Sequence, residues 1–340
     1  KYILNTQKLK VSIMTLIISR DDLEKILDMK EVIDVIEKAF AEMAKGKAIV
    51  PLRPKIFIEK YNGAMLYMPA YLSEMDALSI KIVSVFTENI NKGLPTIYAI
   101  VIINDPRTGK PVSIIEGGYL TAMRTGAATG VATKYLARED ASIVGILGTG
   151  TQAVTQLWAV KEVRDIEKVY AYDIVKERAN NFAEEMHKKF GLKVQVTDNP
   201  KDAVINSDIV ILATTAVEPV INGDWIRSGM HINSIGWMGR DARELDSKTI
   251  KMAKVVVDSR EAVLEESGDL IIPINEGVIT PDHIYAELGE IIIGKKEGRV
   301  NDKEITLWKS VGLAIQDAAI GKLAYEKALR YGIGTDIKFI

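Results

Sequence analysis

The pattern of apolar and polar positions changes in character near Ala141. Before that point, two segments carry apolar residues at helical spacing, "SRDDLEKIL" and "EVIDVIEKAFAEMAKG", the second closed by Gly46. Extended segments follow, "PKIFIE", "GAMLYMPAYL", "ALSIKIVSVF" and "LPTIYAIVIIND", with a turn predicted at "DPRTGKPV". The next segment, "GGYLTAMRTGAATGVATKYLA", is rich in small residues and predicts a long helix that packs closely against a neighbour.

Beyond Ala141, short buried strands alternate with helices. The strand-like segments are "SIVGILG", "KVYAYD", "KVQVT", "DIVILATT", "HINSIG" and "KVVVDS". This alternation predicts a parallel sheet with helices on both faces. The tail, "ITLWKSVGLAIQDAAIGKLAYEKALRYG", has one long helical pattern. We therefore predict an α/β fold with a Rossmann-type doubly wound parallel sheet over residues 129–317. A second, discontinuous α+β domain would comprise residues 1–128 and 318–340.

A glycine-rich turn follows the first of these strands. "GTGTQA", Gly148–Ala153, has the form G-x-G-x-x-A between a strand and a helix, where glycines let the backbone approach a pyrophosphate and the helix N-terminus attracts it. Asp173 ends the next strand, where a carboxylate binds the adenosine ribose hydroxyls. The alternative is a glycine-rich turn without a ligand. The acid disfavours a 2′-phosphate, so NAD(H) is favoured over NADP(H). The preference is slight, because Lys176 and Arg178 follow closely and could hold a phosphate.

Composition limits the partners. The 340 residues carry a formal net charge of −2, which argues against nucleic acid or an anionic membrane surface as the main partner. No apolar run reaches the roughly 18–20 residues of a membrane helix. The N-terminal apolar stretch lacks a signal-peptide cleavage site, and residues 1–13 are interpreted as a leader. A cytoplasmic location is expected.

Metal and hydrolase chemistry have no support in the sequence. There is no cysteine, so thiolate nucleophiles and cysteine metal sites are excluded. His187, His231 and His283 are scattered without metal-binding spacing, and we expect no metal site. No G-x-S-x-G nucleophile turn is present.

Three cations precede the Rossmann-like region: Arg53 in "PLRPKI", Lys81 in "LSIKIVSV" and Arg124 in "TAMRTGA". Lys81 and Arg124 lie among apolar or small neighbours in segments predicted to be buried, and a buried cation needs an anionic partner. A structural salt bridge is one interpretation. The other is a site for a carboxylate substrate, since arginine offers a planar fork and lysine a point charge.

The chain resembles the ornithine cyclodeaminase/μ-crystallin family from about Met14 to its C-terminus. The motifs that carry the resemblance are "MPAYL", "LSIKIVSVFTENINKGLPT", "GGYLTAMRTGAATGVATKYLAR", "GILGTGTQA", "ARELD", "AELGEIIIGKKEGR" and "WKSVGLAIQDAA". The resemblance implies a homodimer. The N-terminal domain, completed by C-terminal residues, would bind substrate and pair the subunits, while the Rossmann domain would bind the cofactor.

The resemblance also assigns site residues by motif position. A lysine and two arginines, here Lys81, Arg53 and Arg124, would grip the α-carboxylate of the substrate, and Lys81 and Arg124 are the predicted catalytic residues. Further substrate-side positions are Thr96 in "GLPT" and, near the nicotinamide, Gly312 and Leu313. The predicted cofactor contacts are Thr125, Gly148, Thr149, Gly150, Thr151, Gln152, Asp173, Ala213, Thr214, Thr215 and Gly236.

One departure from the family pattern bears on the substrate. Ornithine cyclodeaminases and alanine dehydrogenases of this family carry an aspartate shortly after the glycine of "INSIG", where it contacts the substrate amino group. A gapless alignment puts Met238 at that position. Asp241 is the alternative if the loop is shifted, and plain core filling is an alternative role for the methionine. Trp237 and Met238 suit the apolar ring of a preformed cyclic imine, which needs no group to deprotonate an ammonium.

We therefore predict an NAD(P)H-dependent reductase that converts Δ1-pyrroline-2-carboxylate to L-proline, or Δ1-piperideine-2-carboxylate to L-pipecolate. Three alternatives stay open: an alanine dehydrogenase-like enzyme acting on open-chain substrates, an ornithine cyclodeaminase, and an NADPH-dependent binding protein of the μ-crystallin type.

Overall fold

The computed structural model describes residues 14–236 and 239–338. Within those ranges the strands, in chain order, are β1 (Met14–Ile18), β2 (Ala48–Ile49), β3 (Lys55–Ile58), β4 (Gly63–Leu72), β5 (Ala77–Phe86), β6 (Ile97–Asn104), β7 (Pro111–Glu116), β8 (Ile143–Leu147), β9 (Lys168–Tyr172), β10 (Val194–Val196), β11 (Ile209–Leu212), β12 (His231–Ser234), β13 (Lys254–Val257), β14 (Ile284–Glu287), β15 (Thr306–Lys309) and β16 (Thr335–Lys338).

The α-helices in the same ranges are α1 (Arg20–Ile26), α2 (Met29–Ala44), α3 (Gly117–Leu136), α4 (Thr151–Val163), α5 (Lys176–Phe190), α6 (Pro200–Ile205), α7 (Ser247–Met252), α8 (Arg260–Glu266), α9 (Gly268–Asn275), α10 (Leu288–Ile292) and α11 (Ala314–Tyr331). The first two begin at side-chain caps. Ser19 accepts from the backbone N–H of Asp22, and Asp28 accepts from the N–H groups of Lys30 and Glu31. Such caps satisfy donors that a helix start leaves free.

The first sheet is mixed and has the strand order β16-β1-β7-β6-β5-β4-β2, with β3 also paired to β4. Helices α2, α3 and α11 pack on it. Alternation along β5 and β6 points Lys81 and its cross-strand partner Val101 towards α11, and both are buried. Ile100 points the other way and is exposed. One face of this sheet is therefore covered by helices and the other presents apolar side chains.

The second sheet is parallel throughout, in the order β10-β9-β8-β11-β12-β15-β13-β14. The order reverses between β8 and β11, and ligands of such sheets bind outside the carboxyl ends of the strands at that reversal. The predicted Rossmann-type doubly wound sheet is thus confirmed.

The prediction of one helical pattern over the whole tail is wrong at its start. Thr306–Lys309 form β15, which lies between β12 and β13 with every side chain buried. A strand buried on both faces shows no alternation of polar and apolar residues, so periodicity does not separate it from a buried helix. The helix begins only at Ala314.

Helix α3 joins the two sheets, and its predicted close packing is confirmed. A Cβ on Gly126 would lie 2.4 Å from the backbone oxygen of Thr155 in α4, so only glycine permits this approach. Helix α3 also contacts β7 of the first sheet and β12 and β15 of the second. The predicted domain boundary at 128/129 falls within this helix and stays a prediction.

Candidate active site

A glycine-rich turn lies where the strand order of the second sheet reverses, at the carboxyl end of β8. Gly148 follows β8 with φ +86°, and a Cβ there would lie 2.5 Å from the backbone oxygen of Ala213. Gly150 is the N-cap residue of α4 and makes no side-chain hydrogen bond to the helix start. A Cβ there would meet nothing within 4 Å. Thr151 and Gln152 form the first turn of α4. Free N–H groups at a helix start beside open space fit a dinucleotide pyrophosphate.

Asp173 lies just after β9 and braces this turn. Its Oδ2 accepts from the backbone N–H of Thr149 at 2.9 Å and from the Thr149 hydroxyl at 3.0 Å. Its Oδ1 accepts from the N–H of Val175 at 2.9 Å. Lys176 forms an exposed ion pair with Asp198, 2.6 Å apart. The carboxylate therefore lies beside the glycine turn, as the dinucleotide motif predicts.

The neighbouring strand ends hold the other predicted cofactor positions. Ala213, Thr214 and Thr215 follow β11, and Gly236 follows β12. Ala213 donates its N–H to the backbone oxygen of Leu147 at the end of β8, 2.9 Å away. These positions thus lie at the carboxyl edge of the second sheet, and Ala213 and Thr214 lie beside Gly148 of the glycine turn.

The first sheet supplies two buried cations that share one carboxylate. Lys81 Nζ lies 2.8 Å from Oδ2 of Asp317, and Arg124 Nε lies 3.3 Å from Oδ1 of the same residue. Arg124 also donates to Oε1 of Gln316 at 2.6 Å. Asp317 is fully buried in the first turn of α11. Two cations and one carboxylate leave this triad with a net positive charge.

Arg53 approaches the same region from the segment before β3. Its NH2 lies 2.8 Å from Oε2 of Glu266 and donates to the backbone oxygens of Val311 at 3.2 Å and Gly312 at 3.0 Å. Lys55 contacts the other oxygen of Glu266 at 3.0 Å. Arg53 is thus fixed against the loop that connects β15 to α11.

That connecting loop is held by a buried aspartate and packs on Arg124. Oδ2 of Asp258 accepts from the Ser310 hydroxyl and from the N–H groups of Val311 and Gly312, at 2.7 to 2.9 Å. Gly312 has φ +79°, and a Cβ there would lie 2.6 Å from NH1 of Arg124. Glycine is required for both reasons, and the predicted position Gly312 lies beside Arg124.

The two buried cations have shifted acidities. Burial lowers the pKa of Lys81 from 10.5 to about 8, against the attraction of Asp317, and the nearby Arg124 and Arg53 also lower it. Burial likewise lowers the pKa of Arg124. A lysine with a pKa about 8 remains mostly protonated at neutral pH and gives up its proton more readily than an exposed lysine.

The remaining predicted residues lie in different places. Thr125 follows Arg124 in α3 and donates its hydroxyl to the Thr121 oxygen at 2.7 Å. Leu313 is buried at the start of α11. Thr96 lies five residues before Val101, the cross-strand partner of Lys81, about 16 Å away along an extended chain, and its substrate-side role stays a prediction. Asp241 lies in an exposed turn.

Trp237 and Met238, the predicted wall for an apolar ring, lie outside the described residues. Their proposed contact with substrate therefore stays a prediction, as does the choice between Met238 and Asp241 for the family aspartate position.

His231 and His283 both make hydrogen-bond contacts inside the fold. His231 is buried, with its ring nitrogens 3.0 Å from Oγ1 of Thr306 and Oδ1 of Asn233, and burial lowers its pKa to about 3. His283 contacts the Ile250 oxygen at 2.8 Å.

Among residues 14–236 and 239–338, no three His, Cys, Asp or Glu side chains are grouped to hold a metal ion. Nor is any helix of that part of the chain long and apolar enough to cross a membrane.

The sequence matches a known family over most of its length. Residues 13–332 match the model of the ornithine cyclodeaminase/mu-crystallin family. The chain belongs to that family. Its predicted resemblance is therefore confirmed.

Several relatives within the ornithine cyclodeaminase/mu-crystallin family are similar over almost the whole chain. The Δ1-pyrroline-2-carboxylate reductase of Bacillus cereus is 42% identical over 325 residues, 95% of this chain and 100% of that protein. The structure of Thermococcus litoralis Δ1-pyrroline-2-carboxylate reductase in complex with NADH and L-proline has a TM-score of 0.93 and 59% identity, covering 95% of this chain and 100% of that one. An archaeal alanine dehydrogenase dimer with bound NAD has a TM-score of 0.91 and 39% identity, covering 96% and 100%.

Sequence reasoning missed the acidic partners in this family member. Asp317, Glu266 and Asp258 are buried carboxylates that hold the predicted cations or the loop beside them. The available signal was weak: two of the acids lie in largely apolar stretches, "GLAIQDAAIG" for Asp317 and "VVVDS" for Asp258, whereas Glu266 lies among polar residues in "LEESGDL". Such an acid is rarely buried without a partner, but the sequence does not name the partner.

Proposed function

We propose that this protein is an NAD(H)-dependent reductase of cyclic imino acids, acting on Δ1-pyrroline-2-carboxylate to form L-proline. The observation that carries the proposal is the buried pair Lys81 and Arg124, which share the carboxylate of Asp317. A substrate carboxylate would balance the remaining positive charge of the triad. The relatives named Δ1-pyrroline-2-carboxylate reductase, one of them solved with NADH and L-proline, support this choice.

In this proposal the substrate carboxylate lies between Lys81, Arg124 and Arg53. Asp317 holds the lysine and the arginine, and Glu266 holds Arg53, so the three cations would already be in position when substrate binds. Fixed positioning of this kind contributes a large share of catalysis. The carboxylate would orient the C=N bond towards the crevice at the carboxyl ends of β8 and β11.

Reduction adds a hydride to the C=N carbon and a proton to the nitrogen. Bound NADH supplies the hydride. Lys81, or a water that it orients, would supply the proton, and its pKa about 8 suits a general acid near neutral pH. Lys81 would thus both hold the carboxylate and serve as proton source.

NAD(H) is proposed over NADP(H) because of Asp173. Its carboxylate braces the glycine turn where the adenosine ribose would lie, and a 2′-phosphate would meet its negative charge. Lys176, one of the two residues that could hold a phosphate beside Arg178, forms an exposed ion pair with Asp198. The Thermococcus litoralis and alanine dehydrogenase structures contain NADH and NAD, which supports the same choice.

Alanine dehydrogenase activity is the second candidate. The archaeal alanine dehydrogenase with bound NAD matches this chain at 39% identity and a TM-score of 0.91, so the fold and the cofactor region suit either reaction. An open-chain imine formed from pyruvate and ammonia would offer the same carboxylate to the cations. The six-membered ring of Δ1-piperideine-2-carboxylate is a further candidate substrate for the reductase.

The uncovered face of the first sheet is proposed as a homodimer interface. A cross-strand row of Tyr67, Ile82 and Ile100 runs across this face, and Ile56 and Tyr98 are exposed beside it. Exposed contiguous apolar surface of this kind marks association sites. The alanine dehydrogenase relative is a dimer, which supports the proposal. A cytoplasmic location is part of the proposal, and cell fractionation tests it.

One set of assays tests the function. Purified protein with NADH, and separately with NADPH, is given Δ1-pyrroline-2-carboxylate, Δ1-piperideine-2-carboxylate, or pyruvate with ammonium, and absorbance at the nicotinamide band is followed. We expect the highest kcat/KM with NADH and the five-membered imine. Ornithine with NAD⁺ is tested for ammonia release. Efficient ornithine consumption, or faster turnover of pyruvate with ammonium, while the cyclic imine is left unreduced would refute the proposal.

A further inference from the structure

Three charged side chains are buried together behind the proposed cofactor crevice. Glu244, Asp269 and Lys309 are each at most 2% exposed, although charged residues are rarely buried so fully. None of them belongs to the cation cluster around Asp317. They lie at the carboxyl edge of the second sheet, where β11, β12 and β15 end.

Glu244 connects the ends of β11 and β12. Its Oε1 accepts from the backbone N–H of Thr214 at 2.9 Å and from the Thr214 hydroxyl at 2.7 Å. Its Oε2 accepts from the N–H of Gly236 at 2.9 Å and from the Ser234 hydroxyl at 3.2 Å. A Cβ on Gly236 would lie 2.3 Å from the Glu244 carboxyl, so glycine is required for this approach.

Lys309 and Asp269 hold the glutamate in place. Lys309, the last residue of β15, lies 2.6 Å from Oδ2 of Asp269 and donates to the Gly236 oxygen at 2.7 Å and the Ser234 hydroxyl at 3.1 Å. Oδ1 of Asp269 accepts from the backbone N–H of Glu244 at 2.8 Å and of Leu245 at 2.9 Å. The backbone that carries Glu244 and the strand end that it contacts are thus both fixed.

We propose that Glu244, braced by Asp269 and Lys309, is a positioning residue for the dinucleotide: it sets the spacing of the strand ends at Thr214 and Gly236 that line the nicotinamide side of the crevice. The inference rests on the proposed function, since it concerns the cofactor of that reaction. Glu244 acts through the two strand ends, from the backbone N–H groups of Thr214 and Gly236 and the hydroxyls of Thr214 and Ser234. Four donors point at its carboxylate, which is the pattern an ionised carboxylate requires.

Glutamine cannot reproduce this connection despite its equal size. An amide offers one accepting oxygen and one donating nitrogen. If the oxygen faces Thr214, the nitrogen faces the N–H of Gly236, and if it is turned round, the nitrogen faces the N–H of Thr214. One strand end therefore loses its acceptor in either orientation. A hydrogen bond to a charged group is of the size that changes a binding constant about tenfold.

The test measures NADH binding and turnover separately. For Glu244→Gln we expect the Kd for NADH, measured by nicotinamide fluorescence, and the KM for NADH to rise about tenfold. The KM for the cyclic imine stays near the wild-type value. The matched control is Asp208→Asn. Asp208 accepts from the N–H groups of Ser142 and Ile143 and from Arg138, but at the opposite, amino edge of the same sheet. It should lower Tm and leave the Kd for NADH unchanged.

A second variant covers the case in which Glu244→Gln does not fold. Thr214→Val removes one donor to Glu244 and should weaken NADH binding in the wild-type background. Where Glu244→Gln does fold, Thr214→Val should raise the Kd for NADH by a smaller factor in that background than in wild type, because the two residues act through one contact. Equal NADH affinity of Glu244→Gln and wild type, or loss of affinity in Asp208→Asn as large as in Glu244→Gln, overturns the inference. If wild-type protein itself binds no NADH, the proposed function fails first.

Discussion

At the scale of single residues, Lys81 has the most direct part in the proposed reaction. It lies at the centre of the first sheet, buried, with Asp317 as its contacting anion. Desolvation lowers its pKa to about 8, so its charge is close to titration under physiological conditions. The same side chain is proposed to hold the substrate carboxylate and to supply a proton. Its replacement should therefore affect turnover far more than cofactor binding.

Lys81→Met removes the charge and keeps the length of the side chain. We expect kcat/KM for the cyclic imine to fall at least about 100-fold, since a positioned general acid and a buried carboxylate partner are both lost. The Kd for NADH should stay near the wild-type value. Steady-state kinetics and fluorescence titration measure the two quantities. Activity within a few-fold of wild type would remove Lys81 from the mechanism.

The pH profile of the reductase reaction follows from the same residue. Lys81 is protonated below its pKa about 8 and neutral above it, so kcat/KM should fall as the pH rises through about 8. Asp317 attracts the charged lysine and raises its pKa, so Asp317→Asn should move this alkaline fall to lower pH. Profiles of wild type and Asp317→Asn measured at the same ionic strength decide the matter. An unmoved alkaline limb would contradict the role of Lys81 as the titrating group.

At the scale of elements, helix α3 sets the arrangement of the two sheets. It carries Arg124 to the cation cluster, and it crosses α4, whose first turn is the proposed site of the cofactor phosphates. The crossing is close because Gly126 has no side chain against the backbone of Thr155. The spacing between the proposed carboxylate site and the proposed cofactor site is therefore set in part by one glycine.

Gly126→Ala should destabilise the protein. The added Cβ would lie 2.4 Å from a backbone oxygen, which the rigid partner helix cannot avoid by a change of rotamer. We expect a loss of about 1–3 kcal/mol in the free energy of unfolding, measured by chemical denaturation. Asn180→Ala, at an exposed position of α5, serves as the control and should change it by less than about 0.5 kcal/mol. Equal stability of Gly126→Ala and wild type would show that α3 and α4 can move apart.

At the scale of the whole molecule, the proposed site is assembled from both sheets. Lys81 and Arg53 come from the first sheet and the segment beside it. The loop after β15 comes from the second sheet, and α11 returns from it to the first. The remaining face of the first sheet is apolar and uncovered by helices, which is the basis of the proposed dimer.

Ile100→Glu should disrupt that dimer, because it places a charge in the middle of the cross-strand apolar row. We expect the wild type to sediment as a dimer and Ile100→Glu to sediment as a monomer in analytical ultracentrifugation. Val300→Glu changes an equally exposed apolar residue in the second half of the chain and should remain dimeric. Identical association of both variants would place the interface elsewhere.

The sequence by itself determined the features that depend on neighbouring residues. Alternation of strand and helix, the G-x-G-x-x-A turn at Gly148 and the acid at Asp173 are local patterns, and they predicted the Rossmann-type sheet and the position of its ligand crevice. The family motifs named Arg53, Lys81 and Arg124, and the structure brings these three to one region.

Only the tertiary structure decided which groups oppose those cations and which strands adjoin. Asp317 meets Lys81, Glu266 meets Arg53, and Glu244 joins two strand ends across large separations in the chain. The segment Thr306–Lys309 became a strand because it fits between β12 and β13. A local sequence pattern shows only whether a residue favours the helix or strand in which it lies. The pairing of buried charges and the order of strands depend instead on how distant segments pack, and that is fixed by the whole chain.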